Sequence, residues 1–280
     1  MSSSVNKYLL FLGFVLCISC GTVKIHNDAD KPILLSNDFK NQEQDHSDSL
    51  RVLTFNIEKA EKIQLAISEF QHLNATDSID IYLLQEMDED GVKAIAKAFS
   101  LNYLYIPIVY NKLIKKDIGN AILTKGVIAH PEKLILPHSK WVNKRKRHVA
   151  IGEVYIHQKK ILVYSVHTET VMMSRKHRMD QVDAIIHHTQ TKWNDYNYMI
   201  LGGDFNTLFS KSAHMMVNKF KNNHLNWATA TVGNTAGAFF GLMKPTHDYI
   251  FTKGLKAINA GKIDTSKASD HLPVFATFAY

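Results

Sequence analysis

Short apolar segments that run abruptly into carboxylate, amide or imidazole side chains constrain the fold of this chain more than any other feature. Residues 52–57 carry Asn56, residues 80–86 end in Glu86, residues 161–167 end in His167, and residues 198–203 run into Asp204, with Asn206 two places on. Asp248 opens residues 248–252, and Asp270 with His271 stands directly before residues 272–278. Each segment is rich in β-branched or aromatic residues and reads as a strand. One acid at a strand end is usually a cap or turn residue. Such groups at the ends of six strands are how α/β folds assemble a site.

The pattern around them is that of one domain. Residues 103–108, 119–124, 149–156 and 255–260 are further strand candidates, and residues 59–73 and 91–99 read as helices. Over residues 175–193 the positions Met179, Val182, Ile186, Thr189 and Trp193 recur at intervals of three and four, which buries one helical face. No internal repeat and no second linker breaks residues 51–280. We expect a single α/β domain there, with many strands and few helices.

The first 50 residues differ in kind. A short polar start with Lys7 precedes an apolar run over residues 8–18, too short to span a bilayer but of the length of a secretory core. It ends in Cys17-Ile18-Ser19-Cys20-Gly21. This end resembles a bacterial lipoprotein leader, which implies removal of residues 1–19 and lipidation of Cys20; an ordinary cleaved signal peptide is the alternative. Cys17 stands where such leaders usually carry Leu. Residues 20–50 are polar and aperiodic and read as a tether. The two cysteines are the only ones, so neither a disulfide scaffold nor a cysteine-based zinc site is available. Residues 51–280 hold 29 basic and 20 acidic residues, a net +9 against +7 for the whole chain, which favours a polyanionic partner.

Eight pieces stand in a fixed order from Arg51 to Tyr280. They are Thr54-Phe55-Asn56-Ile57, Leu84-Gln85-Glu86, Gly119-Asn120-Ala121-Ile122-Leu123, Ser165-Val166-His167, Arg178-Met179-Asp180-Gln181, Gly203-Asp204-Phe205-Asn206, Asp248-Tyr249-Ile250-Phe251 and Ser269-Asp270-His271-Leu272-Pro273-Val274. Together they resemble the endonuclease/exonuclease/phosphatase family of deoxyribonuclease I-like, metal-dependent phosphoesterases. The resemblance implies a four-layered α/β sandwich, with two mainly antiparallel sheets packed face to face and helices outside. It also implies phosphodiester hydrolysis by activated-water attack. A phosphodiester repels anionic nucleophiles, so the reaction needs a cation, an oriented water and charge relief on the phosphoryl oxygens.

On these positions the resemblance implies the following roles. Glu86, a hard carboxylate, would hold Mg²⁺ or Mn²⁺, with Asn56 and Asp270 completing or adjusting the sphere. Asp204 would orient or deprotonate the water, and Asn206 would hold a phosphoryl oxygen, facing the same way if the strand persists that far. His271 would contact the phosphate, with Asp248 fixing its tautomer. His167 is a second imidazole, shared with deoxyribonuclease I, sphingomyelinases and the 5-phosphatases and absent from abasic-site endonucleases. The sequence motifs of the 5-phosphatases are missing.

Lys140-Trp141-Val142-Asn143-Lys144-Arg145-Lys146-Arg147-His148 is either a solvated loop or a phosphate-tracking patch, and Arg147 is its substrate-binding candidate. His187-His188 reads as surface, Met172-Met173 and Met215-Met216 as packing, and residues 238–243 as core or as an apolar hairpin that dips into lipid. Three functions remain open: a nuclease on DNA or RNA outside the cytoplasm, a phosphodiesterase or phosphatase on lipid head groups or small esters, and a binding module without catalysis. The first is favoured by charge. The third would predict loss of a core residue, and none is lost. We expect a monomer on a bacterial cell envelope, facing outward from the cytoplasm, with nucleic acid as substrate, the membrane met through Cys20, and no obligate protein partner.

Overall fold

In strand β2 (Ser49–Asn56) the residues alternate between two environments. Val52 joins apolar side chains packed between two sheets, whereas Leu53 and Phe55 join a cluster under helices. By the same period of two, Thr54 and Asn56 lie on the face of Val52. The computed structural model describes residues 24–39, 47–76, 78–139, 144–237 and 243–280. Residues 1–19 with their expected cleavage, Cys20, residues 140–143 of the basic run and 238–242 of the apolar stretch lie outside the described residues.

One sheet has the order β1 (Leu34–Ser36), β4 (Asn102–Asn111), β5 (Lys116–Thr124), β3 (Ile81–Met87), β2, β13 (Val274–Ala279), β12 (Lys256–Lys262). The other has the order β10 (Asn226–Trp227), β11 (Asp248–Lys253), β9 (Tyr198–Asp204), β8 (Lys159–His167), β7 (His148–Ile156), β6 (Val127–Ile135). The pairs β2–β3 and β8–β9 are parallel; the other pairs are antiparallel. Each parallel pair needs a crossover. Helix α1 (Ile63–Thr76) supplies the first and α3 (Arg175–Thr191) the second, while α2 (Glu89–Phe99) and α4 (Ser210–Asn222) lie beside them.

Three apolar layers hold this together. Val52, Leu83, Ile122, Val163, Ile200 and Ile250 fill the space between the sheets. Phe55, Phe70, Tyr82 and Ile95 join the first sheet to α1 and α2, and Tyr164, Ile185, Met216, Phe220 and Phe251 join the second to α3 and α4. This is the four-layered sandwich expected from the sequence. The sheets approach closely at Gly202, where a Cβ would lie 2.5 Å from Leu83 Cδ1. At Gly203 a Cβ would lie 1.8 Å from the Val166 carbonyl oxygen, so the parallel β8–β9 pair requires glycine there.

Two expectations and two omissions need correction. The stretch read as a tether is folded over residues 24–39. Ile25 bridges Val109, β1 pairs with β4, and Lys133 Nζ donates to the carbonyls of Asp28 and Lys31 at 2.6 Å each. The run Ile33-Leu34-Leu35 is too short to show a period, yet it covers an otherwise open sheet edge. Strand β6 escapes notice because it is a partly exposed edge strand carrying His130, Pro131 and Glu132. Helix α4 escapes because its buried residues are few: Ser212, Met216 and Phe220, spaced by four.

The fourth correction concerns His188. It is not a surface residue: Nδ1 lies 3.0 Å from Tyr164 Oη and Nε2 lies 2.7 Å from Glu132 Oε1. His187 is exposed. Of the methionine pairs, Met173 and Met216 are buried and Met172 and Met215 are exposed.

Candidate active site

The ends of the two parallel pairs meet between the sheets, and this brings Asn56, His167 and Asp204 together. Asn56 Nδ2 donates to Asp204 Oδ2 at 3.0 Å, and the backbone N–H of Asn206 donates to Asp204 Oδ1 at 2.8 Å. Both oxygens of this buried carboxylate are therefore pinned. His167 Nε2 lies 3.4 Å from Asp204 Oδ2, and His271 Nε2 approaches the same oxygen at 3.8 Å. Asp248 faces Asp204 across the β9–β11 register. Its carboxylate binds His271 Nδ1 at 2.9 Å and accepts from Thr235 Oγ1 at 2.6 Å. Asp204, His167, His271, Asp248 and Asn56 thus form one buried cluster.

The protonation states follow from the contacts. Burial lowers the affinity of His167 for a proton, and the Arg147 charge lowers it further, well below the ordinary imidazole value. Arg147 Nη1 lies 3.2 Å from His167 Nδ1, and a guanidinium only donates, so Nδ1 accepts and Nε2 carries the hydrogen facing Asp204. His271 is the opposite case. Burial opposes its charge, but Asp248 and Asp204 outweigh burial and raise it to about 10. Burial also opposes ionisation of Asp204; the His271 charge beside it outweighs this and keeps the carboxyl below its usual range.

Asn206 is placed differently from the alternation argument. The strand ends at Asp204, and Asn206 turns into the left-handed region at φ 49°. Its side-chain amide donates to the Thr168 carbonyl at 3.0 Å, which uses one of its two hydrogens. Arg178 Nη1 donates to the Asn206 carbonyl at 3.2 Å, so the Arg178-Met179-Asp180-Gln181 piece holds this turn. The left-handed backbone, not strand alternation, brings the amide back to the site.

Glu86 sits at a bulge in β3, with φ 54°, between the paired residues Leu84 and Met87. With Lys59, Asn120, Arg145, Arg147 and His167 it lines a cavity of about 70 Å³. Its carboxylate makes no hydrogen bond among the described residues. Asp270 is exposed and accepts from Ser269 Oγ at 3.3 Å. Arg147 is buried rather than part of an open patch, and its Nη2 lies 3.3 Å from Glu169 Oε1. Arg145 also turns toward Glu169, at 3.9 Å, and the neighbouring Arg147 charge lowers it to about 10. The inner half of the basic run is thus a wall of the cleft.

A divalent cation fits these donors. Asp204, His247 and His271 offer three ligand atoms within 4.8 Å of one another, that of His271 only once its ring is deprotonated, and among the described residues both ring nitrogens of His247 are buried without a partner. Glu86 adds a hard carboxylate at the other side of His167. Three members of the site escape the sequence reading, His247, Glu169 and Thr235, and Arg145 is read there only as part of the basic run. Glu169 carried a usable signal, two residues past His167 on the same side of the extending chain. Thr235 lies in a loop with no periodicity, and its role appears only once that loop folds onto Asp248.

The model of the Endonuclease/Exonuclease/phosphatase family matches residues 53–271. No curated protein matches the sequence. Among solved structures, a humanized D. rerio TDP2 superposes with a TM-score of 0.66 at 16% identity, over 84% of this chain and 100% of its own. An endonuclease/exonuclease/phosphatase from Beutenbergia cavernae gives 0.66 at 17%, over 82% and 71%. The mannosyl-6-phosphatase Bt3783 of Bacteroides thetaiotaomicron gives 0.63 at 17%, over 82% and 100%. At these identities the likeness is one of fold.

Proposed function

This chain belongs to the endonuclease/exonuclease/phosphatase family, and from that membership we propose that it is a divalent-metal-dependent phosphodiesterase. We place it on a bacterial envelope outside the cytoplasm, with a polynucleotide as first substrate class. The observation that carries the reading is the pinned Asp204 carboxylate with two imidazoles at its Oδ2, His167 held neutral and His271 held charged.

Each group has a task in hydrolysis. Glu86, with Asn56 and Asp270, would hold Mg²⁺ or Mn²⁺, which when bound would supply charge relief on the phosphoryl oxygens. Asp204 cannot rotate, because Asn56 and the Asn206 N–H hold its two oxygens, so it presents one fixed acceptor to a water. His271 is an imidazolium locked by Asp248, and its Nε2–H is the acid available to a phosphoryl or leaving oxygen. His167 presents a neutral Nε2–H in a fixed tautomer, and Arg147 holds that tautomer from behind. Arg147 and Arg145 bring positive charge to the cleft wall, where a phosphodiester anion would lie.

The net +9 of residues 51–280 favours a polynucleotide. A lipid head group is the second reading, supported by the exposed apolar residues around the cleft described below. The test is a panel of bis(p-nitrophenyl) phosphate, plasmid DNA, RNA, sphingomyelin and a phosphomonoester, each with Mg²⁺, Mn²⁺ or chelator. Chelator-sensitive cleavage of a diester supports the reading. Hydrolysis of none of them, or hydrolysis indifferent to chelator, overturns it.

A further inference from the structure

Three of the four most exposed large apolar side chains gather at the end of the molecule that holds the site; the fourth, Ile258, lies on the edge strand β12. Leu113, 87% exposed, tips the β4–β5 hairpin. Met172, 81% exposed, lies on the loop between β8 and α3, and Phe209, 53% exposed, on the loop between β9 and α4. All three loops open at the site end, because β8 ends at His167, β9 ends at Asp204, and β5 meets the C-terminal end of β3 at Gly119. Exposed cations stand next to them in sequence: Lys115 after Leu113, Arg175 after Met172 and Lys211 after Phe209. Of the acids at this end, Asp90, Glu61 and Asp117 are opposite Lys116, Lys59 and His26, and Asp270 is exposed. Apolar tips interleaved with basic residues are the chemistry of a surface that enters the head-group layer of an anionic bilayer.

The path of the chain points the same way. The Lys24 carbonyl accepts from Tyr110 N at 2.8 Å, and His26 N donates to the Ile108 carbonyl at 3.0 Å. From there the chain runs away from the site along β4 to the antiparallel β1. It therefore enters the fold beside the hairpin that carries Leu113. Cys20, where lipidation is expected, precedes Lys24 by four residues, which reach at most about 14 Å when extended. An anchor at Cys20 would hold the site end, and not the opposite end, against the lipid.

We propose that the rim formed by Leu113, Met172 and Phe209 docks on an anionic phospholipid surface, so that the mouth of the site faces the bilayer. A mouth turned to the bilayer suits the lipid head-group reading of the same site, and the docking test reads depth rather than activity, so either can fail alone. The full chain, carrying Cys17→Ser and Cys20→Ser, receives one new cysteine by Leu113→Cys, Met172→Cys, Phe209→Cys or, at the far end of β7, Tyr155→Cys. Each is labelled with an environment-sensitive fluorophore and mixed with vesicles of phosphatidylglycerol and phosphatidylcholine, of phosphatidylcholine alone, or with a short DNA duplex.

The proposal expects a blue-shifted, brighter emission at the three rim positions with phosphatidylglycerol, weakened by salt, and no change at position 155. Three independent rim labels mean that one misfolded variant leaves two to decide. No response at the rim, an equal response at position 155, or a rim response to DNA but not to vesicles overturns it.

Discussion

The Arg147 guanidinium lies 3.2 Å from His167 Nδ1, a buried contact that fixes the tautomer of a site histidine and adds to burial in keeping it neutral. Arg147→Met should remove both effects. We expect phosphodiester turnover to fall about tenfold to a hundredfold, and the His167 tautomer equilibrium, read by ¹⁵N chemical shifts, to move away from pure Nε2–H. The same change strips a charge-assisted partner from buried Glu169, at a cost to stability of roughly 1–3 kcal/mol. Unchanged ¹⁵N shifts would show that Arg147 does not set the tautomer.

The Asp248–His271 pair predicts an elevated histidine titration. In chelator-treated protein His271 should lose its proton near pH 10, as its two carboxylate neighbours require. Asp248→Asn removes one of those charges, so the midpoint should move down. The basic limb of the activity profile should move the same way if the imidazolium is the acid. NMR titration of the His271 ring reports the first point directly. An ordinary midpoint in the wild-type chain would contradict it.

Stability should fall with acid for a separate reason. His148 is fully buried, and burial together with Lys133 pushes it down to about 3 from an ordinary 6.5. Below pH 6.5 the unfolded chain takes up a proton that the folded chain refuses, so stability is lost as pH falls toward 3. His167 acts in the same direction. Each such group contributes up to about 1.4 kcal/mol per pH unit. His271 has the opposite sign: its raised value stabilises the fold below pH 6.5, and that contribution fades as pH climbs to about 10. Urea titrations from pH 4 to 7 should show a steeper slope for the wild type than for His148→Gln. Equal slopes would remove His148 from the account.

The two glycines before Asp204 should respond unequally to alanine. At Gly203 the new Cβ meets a backbone carbonyl at 1.8 Å, and β8 and β9 would have to separate. At Gly202 it meets the far end of the Leu83 side chain, which can rotate. We expect a loss of about 3 kcal/mol or more for Gly203→Ala and about 1–2 kcal/mol for Gly202→Ala, measured by chemical denaturation. The reverse order would mean that the sheet spacing, not the parallel pairing, sets the limit.

Much of this is visible in the sequence because short apolar runs end abruptly in polar side chains. Those strand ends, with the ordered family pieces, lead to Asn56, Glu86, His167, Asp204, Asn206 and Asp248. They do not show how the backbone delivers a residue where it leaves regular geometry. Asn206 is delivered by a left-handed turn and Glu86 by a bulge, and neither conformation has a periodic signature. Arg147 reads as the substrate-binding candidate of a run of cations that includes Arg145, and only the fold shows both turned toward Glu169. Residues 24–39 look polar and unstructured, and what folds them is an edge strand and two carbonyls on Lys133, both long-range contacts.

The central claim is that Asp204 and His271 do the chemistry of phosphodiester cleavage. Its most direct test is single-turnover hydrolysis of bis(p-nitrophenyl) phosphate in Mg²⁺ or Mn²⁺ by the wild type, Asp204→Asn and His271→Ala, each confirmed folded by its unfolding transition. We predict chelator-sensitive turnover in the wild type and a loss of about a hundredfold or more in each variant. Folded variants that both keep wild-type turnover would contradict the account.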